Sequence, residues 1–120
     1  MAKLSAHGAE LARYFDPRRR ALISIRSDGT RLGKSVWSNG WKVVGRKKPD
    51  CPLEQWKASK LAYIASLPAW AQECKSLPSE HDLSEWVFDA VCETPNGDRV
   101  EPDGHGPDGV PSWLLLLGLV

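Results

Sequence analysis

Apolar and polar residues alternate along the first half of the chain, which is the pattern of strands with one buried face. The alternation predicts four strands, approximately over residues 10–15, 20–27, 30–38 and 41–48. They are separated by the turn sequences Asp16-Pro17-Arg18-Arg19, Asp28-Gly29 and Asn39-Gly40. Because Asp-Gly and Asn-Gly favour two-residue hairpin turns, we expect these strands to form an antiparallel β-meander.

Two-residue turns would also determine which residues lie opposite each other in the meander. Arg26 would pair with Arg31, and Gly33 with Arg46. One face would then carry the predicted core residues Ile23, Ile25, Leu32, Val36, Trp41 and Val43. The other face would carry the candidate partner-binding or nucleic-acid-binding residues Arg26, Arg31, Trp37, Lys42, Arg46 and Lys48. This basic face is the candidate site, because Lys and Arg contact phosphates and an exposed Trp can stack on a base.

The second half of the chain changes to the spacing of amphipathic helices. Helical segments are expected to begin at Leu53, Pro68, Ser79 and Ser112. Ser79 and Asp82 form a capping-box pattern at the start of the third segment. That segment places apolar residues along one side, namely Leu83, Trp86, Val87, Ala90 and Val91. Gly118 is expected to end the short terminal helix.

These elements predict an α+β fold with an N-terminal antiparallel β-meander of about four strands and two or three helices packed on one face. A chain of 120 residues fits a single domain, residues 1–120. Its basic part, residues 1–50, would form the meander. Its acidic part, residues 51–120, would hold the helices together with a C-terminal loop and helix.

Charge is divided unequally between these two parts. Residues 1–50 hold twelve of the sixteen Lys and Arg but only four of the fifteen acidic residues. This division indicates a basic surface that meets something anionic, either an external partner or the protein's own acidic half. Both alternatives stay open at this point. The acidic helices could cover and neutralise the basic sheet face, or that face could bind a host nucleoprotein complex or a nucleic acid.

Motifs of common enzyme classes are missing, including Gly-x-Ser-x-Gly, the phosphate loop and His-Glu-x-x-His. Cys51, Cys74 and Cys92 lack the spacing of a zinc site, and we expect them to be reduced. The loop from Asp98 to Asp108 is rich in Pro, Gly and Asp, but its order departs from the calcium-loop template, which favours simple turns. No cofactor or metal is indicated. We expect a non-enzymatic protein, and a small enzyme with a Cys or His nucleophile is the last-ranked alternative.

Apolar runs in the chain are short. The N-terminal residues lack an apolar stretch, and the longest run, Trp113–Leu117, is far below the roughly 20 residues that cross a bilayer. We therefore expect a cytoplasmic protein without membrane contact. The sequence does not indicate an oligomeric state.

Two segments resemble small uncharacterised proteins of proteobacterial phages and plasmids. The first is Val100-Glu101-Pro102-Asp103-Gly104 followed by Gly109-Val110-Pro111-Ser112-Trp113-Leu114 and Leu117-Gly118-Leu119, about a sixth of the chain. The second is the opening Lys3-Leu4-Ser5-Ala6-His7-Gly8. The resemblance implies an accessory protein of a mobile element. In that setting, small non-enzymatic proteins often inhibit host defence, and anti-CRISPR proteins are among them.

The leading expectation is an anti-CRISPR-type inhibitor that binds and blocks a host defence nucleoprotein complex, such as a CRISPR effector. The contact would be made by the basic sheet face or by the acidic helices. The alternative is a small nucleic-acid-binding module that uses the basic sheet face. It predicts an affinity that falls steeply with salt and is weakened by Arg26→Ala, Trp37→Ala or Arg46→Ala.

Overall fold

The computed structural model describes residues 4–120, and residues 1–3, with Lys3 of the opening segment, lie outside the described residues. A short 3-10 helix, Leu4–His7, comes first. An antiparallel sheet follows, in which neighbours along the chain pair with each other: β1 (Glu10–Asp16), β2 (Ala21–Arg26), β3 (Thr30–Lys34) and β4 (Lys42–Arg46). The predicted meander is therefore confirmed.

The second half of the chain contains helices, as predicted. Its helices are α1 (Leu53–Ala65), α2 (Ala69–Glu73), α3 (Glu80–Asp89) and α4 (Trp113–Leu116). Between α3 and α4 lies a small hairpin of β5 (Cys92–Glu93) and β6 (Arg99–Val100), which the sequence did not predict. Strands of two residues are too short to show a periodicity. The α+β fold class is confirmed.

Packing of the helices departs from the prediction, because both faces of the sheet are covered. On one face, Tyr14, Ile23 and Ile25 pack with Trp56 and Ile64 of α1. On the other face, the sheet packs against residues of α3, β5 and the C-terminal segment, in a cluster of Phe15, Leu22, Leu83, Cys92, Trp113, Leu114 and Leu117. All of β2 is buried as a result. The expectation that the helices pack on one face was therefore wrong.

The register between β2 and β3 differs by one residue from the predicted register. Ile25, and not Arg26, lies opposite Arg31. The connection has three residues, because the N–H of Gly29 donates to the carbonyl of Arg26 at 3.2 Å and Gly29 adopts a φ of +91°. A hairpin of this kind requires a left-handed residue, which glycine supplies. Since a shift of one residue exchanges the two faces, Arg26 and Arg31 lie on opposite sides of the sheet.

The connection between β3 and β4 is longer than the predicted two-residue turn. Gly33 pairs with Lys42, so residues 35–41 form a loop. The Ser38 hydroxyl lies within hydrogen-bond distance of two backbone carbonyls of this loop, at 3.1 and 3.0 Å. The hydroxyl donates to one of these carbonyls and accepts from the N–H of Ser35 at 3.1 Å, which holds the loop closed. Trp37 is exposed within this loop.

Candidate functional site

Arg26, one of the six predicted site residues, is buried, with 5% of its surface exposed. Its Nη1 donates to Oε2 of Glu10 at 3.4 Å and to Oγ of Ser24 at 3.2 Å, and its Nη2 donates to the carbonyl of Gly8. These contacts join β2 to β1 and to the residues that precede β1. The predicted placement of Arg26 with Arg31 on one basic face was wrong, because Arg26 is held inside the fold and lies on the opposite side of the sheet from Arg31.

Glu10 is the carboxylate at the centre of this network. Burial raises the pKa of Glu10, but hydrogen bonds from Ser24 and Arg13 and the positive charges of Arg13 and Arg26 lower it by more, so the pKa lies below its ordinary value. The Ser24 hydroxyl donates to Oε2 at 2.6 Å, and Nε of Arg13 donates to the same oxygen at 3.0 Å. The folded state therefore stabilises the ionised form of Glu10.

Arg31 is half-buried, on the sheet face that α1 covers. Its guanidinium lies against Gly45, where a Cβ would come within 2.4 Å of Nη2. Arg31 also influences Lys60 of α1: burial lowers the pKa of Lys60, and the positive charges of Arg31 and Arg19 lower it further. Arg31 therefore lies between β4 and α1, next to Gly45 and close enough to Lys60 to influence its pKa.

Lys42, Arg46 and Lys48 are exposed, on β4 or just beyond its end. β4 is an edge strand, since it pairs with β3 alone. Exposed Lys and Arg on an edge strand prevent pairing with another sheet, so these residues have a structural explanation as well as a binding one. The six predicted residues together do not form one surface.

Ion pairs do not connect the basic half of the chain with the acidic half among the described residues. Five ion pairs occur in this part of the chain, and each joins two residues within 1–50 or two residues within 51–120. Lys42, Arg46 and Lys48 take part in none of the five. Ion pairing among the described residues therefore does not support the covering of the basic residues by acidic helices.

α3 begins with the predicted capping box. The backbone N–H of Asp82 donates to Oγ of Ser79 at 3.0 Å, and the N–H of Ser79 donates to Oδ2 of Asp82 at 3.2 Å. The helix ends at Ala90, which has a left-handed φ of 55°. Leu83 is buried and attaches the helix to the core. The capping box and Leu83 therefore fix the face that α3 presents to solvent.

Four exposed apolar residues lie close together beside the solvent-facing side of α3. Val87 and Phe88 of α3 are 59% and 89% exposed, Trp37 of the β3–β4 loop is 58% exposed, and Leu119 follows α4. We call Trp37, Val87, Phe88 and Leu119 the apolar patch. Together with other residues of α3, they line an open cavity of about 510 Å³. An aromatic-rich apolar surface of this kind is typical of protein interaction sites.

Val87 belongs to the apolar stripe predicted for α3, and Phe88 does not. The apolar stripe predicted for α3 is only partly buried: Leu83 is buried, Trp86 is half-buried, and Val87 is exposed. Phe88 could have indicated this exposed surface from the sequence, because it lies outside the predicted stripe and puts an aromatic residue on the polar side of the helix. Trp37 is the predicted site residue that the structure brings to this surface.

Two further sequence candidates lack the features of a reactive or metal-binding site. Burial raises the pKa of the Cys74 thiol, which reduces the fraction of reactive thiolate. In the loop from Asp98 to Asp108, Asp108 accepts hydrogen bonds from Nδ2 of Asn96 at 2.7 Å and from the N–H of Val110 at 3.2 Å, as in a compact turn. No group of three or more potential metal ligands occurs among residues 4–120.

Comparison with known proteins identifies no relative. The chain matches no protein family, no curated protein and no solved structure. Within the described part of the chain, none of the helices is long and apolar enough to cross a membrane. The fold and the surface beside α3 are therefore the basis for a functional proposal.

Proposed function

We propose that this chain is a non-enzymatic accessory protein of a mobile element, which binds and blocks a host defence nucleoprotein complex in the cytoplasm. A CRISPR effector is the suspected target. The observation that supports binding is the apolar patch, in which Trp37, Val87 and Phe88 each expose more than half of their surface. The choice of target rests on the resemblance of the C-terminal segment to proteins of phages and plasmids.

The apolar patch has the composition of an interface centre. Trp and Phe contribute large contact areas, and the energy of binding is usually concentrated in a few such residues. Replacing one of them with a small polar residue commonly weakens a complex by about tenfold or more. Because Phe88 and Trp37 contribute little to the core, both can be replaced without loss of the fold.

Blocking is tested with purified CRISPR effector complexes of several types and their labelled target DNA. We expect the wild-type chain to reduce target binding by at least one type, and the double variant Trp37→Ser/Phe88→Ser to need a concentration about tenfold higher or more. Leu61→Ser is the matched control, because Leu61 is an exposed apolar residue on α1, away from the patch. If every effector type recognises its target normally in the presence of the chain, the proposed function is wrong.

A second candidate function is nucleic-acid binding. It is favoured by the exposure of Lys42, Arg46 and Lys48 and by their absence from the five ion pairs of the described residues. Three cations along one edge could contact successive phosphates. Only Lys42, Arg46 and Lys48 at the β4 edge would then form the binding surface, and the other three predicted residues would not belong to it.

We expect a gel shift at about 50 mM salt if this candidate is correct, with the logarithm of the binding constant falling steeply against the logarithm of the salt concentration. Lys42→Gln/Arg46→Gln/Lys48→Gln should reduce that slope by about two to three. Arg99→Gln removes an exposed arginine from β6 and should leave the slope unchanged, whereas one lost phosphate contact would reduce it by about 0.9. Absence of a shift at low salt eliminates this candidate.

A further inference from the structure

We infer that the apolar patch and the carboxylates of α3 together bind a cationic amphipathic segment of a partner protein. This inference rests on the proposed function, because it concerns the same surface and names the chemistry of the partner that binds there. It makes no use of the identity of the host complex. The patch would take the apolar side chains of the segment, and the carboxylates would take its Lys and Arg residues.

The carboxylates of α3 have no Lys or Arg beside them on the same helix, and Nε2 of His81 lies 3.1 Å from Oε1 of Glu85. Over Glu80–Asp89 the sequence contains four acidic residues and no Lys or Arg. We call the exposed residues Glu80, Glu85 and Asp89 the acidic rim. Glu80 lines the same cavity as the apolar patch. Glu85 precedes Phe88 by three positions, which places the two on neighbouring parts of the helix surface.

The acidic rim discriminates between possible occupants. A second copy of this chain would pair the same surface with itself in a two-fold dimer, and this would bring acidic rim against acidic rim. Nucleic acids and anionic membranes carry the same sign of charge as the rim and would be repelled. A protein segment with Lys and Arg beside apolar residues complements both parts of the surface, in charge and in hydrophobicity.

An amphipathic helix has the shape that such a surface accepts. Helices commonly bind by placing apolar residues of one face into a shallow apolar groove on the partner. The open cavity bordered by Trp37, Val87, Phe88 and Leu119 is such a groove. Glu80 lies beside the cavity, where it can meet a cationic residue that flanks the apolar face. Glu85, three positions before Phe88, and Asp89, four positions after Glu85, extend the carboxylates along the next side of the helix.

Two synthetic helical peptides of about 15 residues test the inference directly. One is built from Leu and Lys in amphipathic spacing, and the other carries Glu at each Lys position. We expect the full-length chain to bind the Leu–Lys peptide and not the Leu–Glu peptide, measured by titration calorimetry at low and at moderate salt. Binding of the Leu–Lys peptide should weaken as salt rises, because exposed charge pairs are screened.

Variants assign the binding to this surface. Phe88→Ser should weaken Leu–Lys peptide binding by about tenfold, and Glu80→Gln/Glu85→Gln/Asp89→Asn should weaken it by about fivefold to tenfold and reduce its salt dependence. Leu61→Ser and Glu54→Gln are the matched controls, since both replace exposed residues of α1. Both controls should bind like the wild type.

Three results would overturn the inference. These are failure of the Leu–Lys peptide to bind, equal binding of both peptides, or a wild-type dimer in sedimentation that Phe88→Ser dissociates. The last result would identify a second copy of the chain as the occupant. Failure of this inference can be distinguished from failure of the proposed function. The chain could bind the Leu–Lys peptide while no effector is inhibited, or it could inhibit an effector without binding the peptide.

Discussion

Phe15→Ala should lower the free energy of unfolding by about 3–5 kcal/mol, which is the range for truncating a large buried aromatic residue. Phe15 is fully buried, at the contact between the sheet and the C-terminal helices. Its ring lies edge-on to that of Trp113, with 5.3 Å between the centroids, and 6.1 Å from that of Trp70. Alanine would leave a cavity between these two large rings, and the rings cannot easily move together to fill it.

Phe88→Ala is the matched control, because it makes the same substitution at a residue that is 89% exposed. Its free energy of unfolding should stay within about 0.5 kcal/mol of the wild-type value. Urea unfolding followed by tryptophan fluorescence measures both variants. Similar losses for the two variants would contradict the described packing, since they would mean that Phe88 is as buried as Phe15.

Arg26→Ala should lower the free energy of unfolding by about 2–4 kcal/mol, which is comparable to breaking a buried ion pair. The substitution removes the donors to Glu10, Ser24 and the carbonyl of Gly8. It leaves the carboxylate of Glu10 with fewer partners in a partly buried site. Arg46→Ala is the matched control, since it removes an exposed arginine from β4, and it should cost less than about 0.5 kcal/mol.

The pH dependence of stability provides a second test of the Arg26 network. Because the folded protein lowers the pKa of Glu10, its stabilisation is present above the ordinary value of 4.5 and is lost as the pH falls through the lowered pKa. Arg26→Ala removes one of the charges that lower this pKa. The variant should therefore lose less stability than the wild type on acidification. An equal loss would show that Arg26 and Glu10 are not coupled.

The four strands could be predicted from the sequence because strong turn signals separate short alternating segments. Their register could not, since Asp28-Gly29 is compatible with both a two-residue and a three-residue turn, and the choice exchanges the faces of β3. Arg26 shows the consequence. The predicted register placed it on one face with Arg31, but Glu10, Ser24 and the carbonyl of Gly8 hold its guanidinium inside the fold.

The apolar patch was harder to predict from the sequence than the strands were. Helical spacing groups Val87 with Leu83, and spacing alone cannot show how wide the buried stripe of a helix is. In the folded chain the contact with the core includes Leu83 and reaches Trp86, while Val87 and Phe88 face outward. Trp37 joins them because it lies in a loop, residues 35–41, that is longer than the two-residue turn predicted from Asn39-Gly40.

The proposal that the apolar patch blocks a host effector is tested by measuring target-DNA binding by purified CRISPR effector complexes, titrated side by side with the wild-type chain and with Trp37→Ser/Phe88→Ser. We expect the wild type to reduce binding by at least one effector type, and the double variant to need a concentration about tenfold higher or more for the same effect. The proposal is wrong if the wild type affects no effector type, or if the two proteins inhibit equally.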